Sequence, residues 1–226
     1  MNNLNALRAM ANAEKAAEMV AYHKQEREVL GVSNPQIDEL VKIWRAEMDI
    51  DARVALAGEL WQTNVFEARI AAAKLLLQAR IKPDDESAWK LIASWVPEFD
   101  SWAIADHAAN AGGKRLVALP LRLDEVEKWT HSKNMWSRRA ALVMTLPWAK
   151  LNNLSKQQNA ARERILGWAA RFVDDHDWFM QKAVAWWLRD LSKHDPDRVQ
   201  VFLAKHGDRM KPFARKIASK YLAKTK

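Results

Sequence analysis

A six-residue pattern recurs along this chain: an aromatic residue, two intervening residues, a basic residue, one more, then a small apolar residue. It reads Phe66-Glu67-Ala68-Arg69-Ile70-Ala71, Trp136-Ser137-Arg138-Arg139-Ala140-Ala141, Phe179-Met180-Gln181-Lys182-Ala183-Val184 and Phe213-Ala214-Arg215-Lys216-Ile217-Ala218. Trp102 fills the vacant slot, so the aromatic positions 66, 102, 136, 179 and 213 are separated by 36, 34, 43 and 34 residues. A period near 35 in a helix-forming sequence is the length of a two-helix unit. Such a unit cannot bury its apolar face alone and must stack on its neighbours. Strand signals are nearly absent: there is no sustained alternation of period two and no Asn-Gly or Asp-Gly hairpin turn. The sequence therefore predicts an all-α fold, a curved α-solenoid with a concave basic face.

Helical periodicity places helices over about 5–28, 35–48, 51–61, 65–80, 85–94, 101–111, 114–119, 121–130, 135–147, 155–171, 176–192, 196–206 and 211–223. Gly31 with Asn34-Pro35, Lys82-Pro83, Gly112-Gly113, Pro120, Asp195-Pro196 and Gly207 mark the breaks. No Ser/Gly/Pro-rich linker divides the chain, which predicts one continuous domain over 1–226.

Composition narrows the function classes. The absence of cysteine among 226 residues excludes disulfides, a thiol nucleophile and thiolate metal sites. Apolar residues at 49% supply a core and argue against disorder. The start, Met1-Asn2-Asn3-Leu4-Asn5, has no basic segment followed by an apolar core, and no apolar run approaches the roughly 20 residues that span a bilayer. A soluble cytoplasmic chain of bacterial type, nucleoid-associated when bound to DNA, is expected. Lys and Arg outnumber Asp and Glu by 36 to 28, a net charge of +8, and there are 12 Trp beside 2 Tyr. Basic charge with exposed aromatics suits a nucleic-acid partner, although most of the Trp are expected in the core. In the repeat register each basic residue lies three positions after its aromatic, on a neighbouring part of the same helix surface. Arg69, Arg139, Lys182 and Lys216 then form a basic track if these helices line the concave face, or are ordinary solvated residues. Their recurrence in register favours the track.

The exceptional slot is Phe99-Asp100-Ser101-Trp102-Ala103-Ile104-Ala105-Asp106-His107, where Ala105 replaces the basic residue and an acid follows. Trp102 and Asp106, at i and i+4, share one helix face. Two readings of Asp106 stand: a structural ion pair with Arg139 or a neighbour, or a catalytic anion set into a phosphate-binding track.

With these residues in view, the chain resembles the AlkD-like DNA alkylation repair glycosylases, which are built from HEAT-like helical repeats. The resemblance runs over most of the chain. It is carried by Met19-Val20-Ala21-Tyr22-His23-Lys24 with Leu30-Gly31-Val32 and Pro35; by Glu59-Leu60-Trp61 followed by Phe66-Glu67-Ala68; by Trp102 and Asp106; by Trp136 to Ala141; and by Phe179 to Arg189. It implies hydrolysis of the N-glycosidic bond of N3- or N7-alkylated purines in duplex DNA, by contacts to the lesioned strand. By that resemblance Asp106, Trp102 and Trp186 are the catalytic set. Tyr22 belongs to the active-site region, and Arg139 faces DNA. One departure is Ala103, where family members often carry Asp.

The implied chemistry is consistent with the residues. Alkylation at N3 or N7 makes the base a cation that leaves neutral, so a general acid matters less. What remains is stabilising positive charge on the deoxyribose and placing a water, which one carboxylate, Asp106, can do. Trp102 and Trp186 would wall the cationic lesion through cation–π contact. Lys182 and Arg189, with Arg69, Arg139 and Lys216, would hold phosphates. Trp186 and Trp187 are adjacent and point apart, so one belongs to the core. His107 diverges from Asp106 by roughly 100° and is read as incidental. The six histidines show no His-Glu-x-x-His or similar cluster, so no metal and no cofactor are expected. Asp174-Asp175-His176-Asp177 reads as an acidic helix start. A monomer is expected, since stacked repeats bury their own core. Two alternatives remain at this level: a non-catalytic reader of DNA damage or shape, and a protein-interaction solenoid scaffold.

Overall fold

The computed structural model describes residues 3–222, and among them there are helices and turns but no strand. The chain groups into two compact units that meet in sequence between Leu119 and Pro120. The first unit holds α1 (Asn3–Arg8), α2 (Ala13–His23), α3 (Asn34–Glu47), α4 (Ile50–Gln62), α5 (Phe66–Leu75), α6 (Glu86–Trp95) and α7 (Trp102–Ala118). The second holds α8 (Leu123–Trp129), α9 (Met135–Met144), α10 (Leu146–Ala149), α11 (Lys156–Phe172), α12 (Trp178–Leu191), α13 (Pro196–His206) and α14 (Pro212–Ala218).

The repeat register is real. Its five aromatic positions all fall at the first or second residue of a helix: Phe66 on α5, Trp102 on α7, Trp136 on α9, Phe179 on α12 and Phe213 on α14. These helices are the inner layer. In the first unit α5 packs against α3, α4 and α7, and in the second α12 packs against α9 and α14. All ten residues of α5 are buried, which an Ala-rich stretch permits because small side chains let neighbouring helices approach closely. The one long gap in the register, 43 residues, accommodates α10 and the turn after it. The buried guanidinium of Arg162 fastens that insertion by donating to the carbonyls of Trp148 (3.0 Å) and Leu151 (2.6 Å).

Ion pairs repeat with the same step. Arg138 reaches Asp175 and Arg164 reaches Glu127, each 37 residues away, while Arg198–Glu163 and Arg209–Asp174 are each separated by 35. Each pair joins one repeat to the next. Exposed pairs of this kind contribute little energy individually, and stability comes from the apolar layers. Seven of the 12 Trp lie in those layers: Trp44, Trp61, Trp89, Trp95, Trp148, Trp168 and Trp187.

Several helix limits differ from the periodicity. The stretch expected as one helix over 5–28 breaks, because the Asn12 side chain accepts from Lys15 N–H and starts α2 afresh. That helix ends at Lys24, which has φ of 51°. The expected break at Gly112-Gly113 does not occur: α7 runs through both glycines, which are buried. The segment expected over 135–147 divides at Thr145, because Pro147 cannot continue the α9 hydrogen-bond ladder. The last helix stops at Ala218, and the end expected at 223 lies outside the described residues. Within the acidic run, Asp177 is the helix cap, accepting from Phe179 N–H at 2.7 Å. Asp175 and Asp174 instead take the arginines of adjoining repeats.

Candidate active site

In the first unit the site grows from the start of α7. Trp102 opens that helix and Asp106 lies one turn on. Both reach the surface, while Ala103, Ile104 and Ala105 between them are buried. Ala103 is therefore a packing position, and a carboxylate there would be desolvated. Two further rings gather at Trp102, and a third, Phe66, backs one of them. The Tyr22 ring stands edge-on to it with centroids 6.1 Å apart, and Tyr22 is exposed. The His23 ring lies between Trp102 at 5.0 Å and Phe66 at 4.8 Å. Burial holds the His23 imidazole below its ordinary pKa, so it is neutral near pH 7 and serves as a third aromatic wall.

What holds α2 over α5 and α7 is a buried carboxylate. Glu67 is fully buried, and its oxygens accept from the backbone N–H groups of Leu30 (2.9 Å), Gly31 (2.8 Å) and Val32 (3.3 Å). Phe66 N–H donates to Glu28 C=O at 3.0 Å, and Asn12 N–H to Leu30 C=O at 2.8 Å. Gly31 has φ of +76°, and a Cβ there would meet Asn12 O at 2.2 Å. The corner at 30–32 thus has a glycine for its backbone and a glutamate for its donors, and it fixes where Tyr22 and His23 stand.

In the second unit Trp186 is half-buried on α12 and donates from Nε1 to Asp190 Oδ2 at 3.2 Å, whereas Trp187 belongs to the core. Arg189 donates from Nη2 and Nε to the single oxygen Asp190 Oδ1, at 2.9 and 3.2 Å, and Lys150 approaches Oδ2 at 3.4 Å. Trp136, Phe179, Trp178 and Phe213 form a ladder with centroid steps of 4.7, 4.9 and 5.9 Å. Lys182 is exposed, with Nζ 4.4 Å from the Trp178 ring centroid. Lys216 is exposed on α14.

The expected basic track needs correction. Arg69 is only 8% exposed. Its guanidinium stacks on Trp61 at 4.6 Å, donates to Trp61 C=O at 3.3 Å and pairs with Glu98 at 3.2 Å. Arg139 is 3% exposed and donates to Phe179 C=O at 2.8 Å. Both are struts within their units, because a position three residues along an inner helix turns toward the adjoining helix there. Lys182 and Lys216 hold the same register position yet remain at the surface.

Two residues escaped the sequence. His23 stands at the variable position between Tyr22 and Lys24, where nothing marks it. Asp190 was findable, since it follows Trp186 by the same four residues that join Trp102 to Asp106. The described residues contain no group of three or more His, Asp or Glu that could hold a metal ion. No helix among them is long and apolar enough to cross a membrane.

Stacked helical hairpins with an aromatic and acidic site on an inner helix define the class, an all-α helical-repeat protein. The sequence matches the model of the DNA alkylation repair enzyme family over residues 4–222, and the chain belongs to that family. No curated protein matches it. Among solved structures it is similar to a predicted DNA alkylation repair enzyme from Enterococcus faecalis, with a TM-score of 0.79 and 24% identity, over 96% of this chain and 98% of that one. It is also similar to AlkD2 from Streptococcus mutans, with a TM-score of 0.61 and 19% identity, over 92% and 98% of the two chains. At these identities the likeness shows the fold.

Proposed function

We propose that this chain is an alkylpurine-DNA glycosylase that hydrolyses the N-glycosidic bond of cationic N3- or N7-alkylated purines in duplex DNA, acting as a monomer. One observation carries the reading: in a DNA alkylation repair family, Trp102 and Asp106 share a partly exposed face of α7, with the Tyr22 and His23 rings beside Trp102. Electron-rich ring faces favour a cation, so the walls suit an alkylated base and the sugar charge that grows as it leaves. Asp106 is the anion that stabilises that charge and orients the attacking water. Trp186, on the second unit, offers DNA an aromatic surface of its own. Lys182 and Lys216, exposed on α12 and α14, are the cations available to phosphates, with Arg189 shared between phosphate and Asp190.

The test is mass-spectrometric identification of bases released from methylated duplex DNA. Release of 3-methyl- or 7-methylpurine by the wild type is expected, with a loss of roughly 10²–10³-fold in Asp106→Asn, the scale of one lost electrostatic stabiliser. Near-normal release by that variant overturns the role of Asp106. The buried alanine at position 103 favours a second reading, a non-catalytic reader of damaged DNA. It predicts salt-sensitive binding with no base released from any alkylated substrate.

A further inference from the structure

A second cluster of charge lies on the first unit, away from the aromatic walls. A cavity of about 490 Å³ is lined by Asp38, Lys42 and Arg45 from α3, Arg53 from α4, Lys74 at the far end of α5 and Gln78 in the turn that follows it. Four cations thus face one carboxylate. That carboxylate is already engaged, because Asp38 Oδ1 lies 2.5 Å from Lys74 Nζ. The two guanidiniums have only neutral acceptors. Arg45 donates to Leu77 C=O at 3.1 Å and to Gln78 Oε1 at 3.0 Å. Arg53 donates to the same Gln78 oxygen at 2.6 Å and to Asp49 C=O at 3.1 Å. Neither has a carboxylate partner among the described residues. Burial first, and the charge of Arg53 second, lower the Arg45 pKa, so the two cations sit close enough to repel. His107 does not relieve the excess: burial, with Lys74 adding to it against Asp38, takes its pKa down to about 4 and leaves it neutral.

Two arginines held side by side on one amide oxygen, with a lysine at the rim, form a preorganised fork for a tetrahedral anion. We infer that this cavity is a phosphate subsite, and that its ligand is a backbone phosphate of the DNA duplex. The inference rests on the glycosylase reading for the identity of the polymer. Geometry sets the register. From Phe66 at the aromatic walls to Lys74 at the cavity is eight residues of α5, about 12 Å at ~1.5 Å per residue. With α5 running along the duplex axis, that is roughly three to four nucleotides at ~3.4 Å of axis each. The subsite would clamp the duplex a few nucleotides from the lesion, while Lys182 and Lys216 belong to the other unit.

The experiment measures full-length protein on a duplex of about 20 base pairs by fluorescence anisotropy across a salt series. It compares the wild type, Arg45→Gln/Arg53→Gln, and Lys42→Ala at the exposed rim, whose side chain has no partner to lose. Loss of one phosphate contact is expected to make the slope of log K against log salt less negative by about 0.9 in the double variant and to weaken binding several-fold. Lys42→Ala should move both in the same direction by less. A scan of single neutral methylphosphonates should reproduce the double variant's loss at one position, three to four nucleotides from the lesion, and should add nothing further in that variant. Inorganic phosphate alone, followed by thermal shift, distinguishes the source. Stabilisation lost in the variants, with duplex binding unchanged, would make this a free-anion site and overturn the assignment to DNA. Wild-type binding and base release with unaltered variant slopes overturn the subsite alone. A wild type that neither binds duplex nor releases base overturns the glycosylase reading, and this inference with it.

Discussion

Replacing Glu67 by Gln tests how the aromatic walls are held. The side chain is fully buried, and its two oxygens accept three backbone N–H groups. Gln preserves the shape but turns one acceptor oxygen into a donor. In the better orientation the remaining oxygen keeps Gly31 and Val32, and the new amide NH₂ faces Leu30 N–H at the site of a 2.9 Å hydrogen bond. One charge-assisted bond is lost, at about 1.5–3 kcal/mol, and two buried donors then oppose each other. The other two bonds lose their charge assistance. The expected cost is about 3 kcal/mol, a large share of the ~5–15 kcal/mol that a typical domain has. Because this corner sets α2 against α5 and α7, the shift should also reach Tyr22 and His23. Chemical denaturation followed by circular dichroism measures the first effect, and base release measured well below the unfolding transition measures the second. A stability loss under about 1 kcal/mol would refute the reasoning, because it would mean that the three N–H groups do not depend on a carboxylate.

Gly31→Ala should cost a further ~3 kcal/mol, since a Cβ at φ +76° would meet Asn12 O at 2.2 Å and Ala16 N at 2.6 Å, and thermal unfolding reads it directly. His107 gives a pH dependence of known sign. Its folded pKa of about 4 lies below the unfolded 6.5, so the unfolded chain binds more protons between those values. Stability from this group is fully present above pH 6.5 and is lost as pH falls toward 4, by up to about 3 kcal/mol. His107→Gln should flatten that part of the stability–pH curve. Lys182→Ala/Lys216→Ala should leave stability nearly unchanged and make the salt slope of DNA binding less negative, by up to about 1.8 if each lysine neutralises one phosphate. Arg69→Ala should do the opposite, lowering the denaturation midpoint through its lost stacking and pairing with Trp61 and Glu98. An equal salt-slope change from Arg69→Ala would restore it to the DNA-facing set.

The sequence by itself determined the helical repeat. Aromatic residues spaced near 35 apart start the inner helices, because a stacked helical hairpin needs a large side chain where each inner helix enters the core. It also placed Trp102 and Asp106 on one face, since helical geometry alone links i to i+4. Four matters waited for tertiary structure. Gly112 and Gly113 read as a break but lie buried within α7, where the packed helix overrides their weak helix propensity. Arg69 and Arg139 share a register position with Lys182 and Lys216 but are buried, because the direction an inner-helix residue faces depends on the helix packed beside it. His23 joins the walls only because Glu67, 44 positions later in sequence, gathers the 30–32 backbone. The cations of Lys42, Arg45, Arg53 and Lys74 come from three helices, and no local spacing predicts that they share a cavity. Periodicity fixes which residues can be inside. Long-range packing decides which charged residues are spent on the fold and which remain for a ligand.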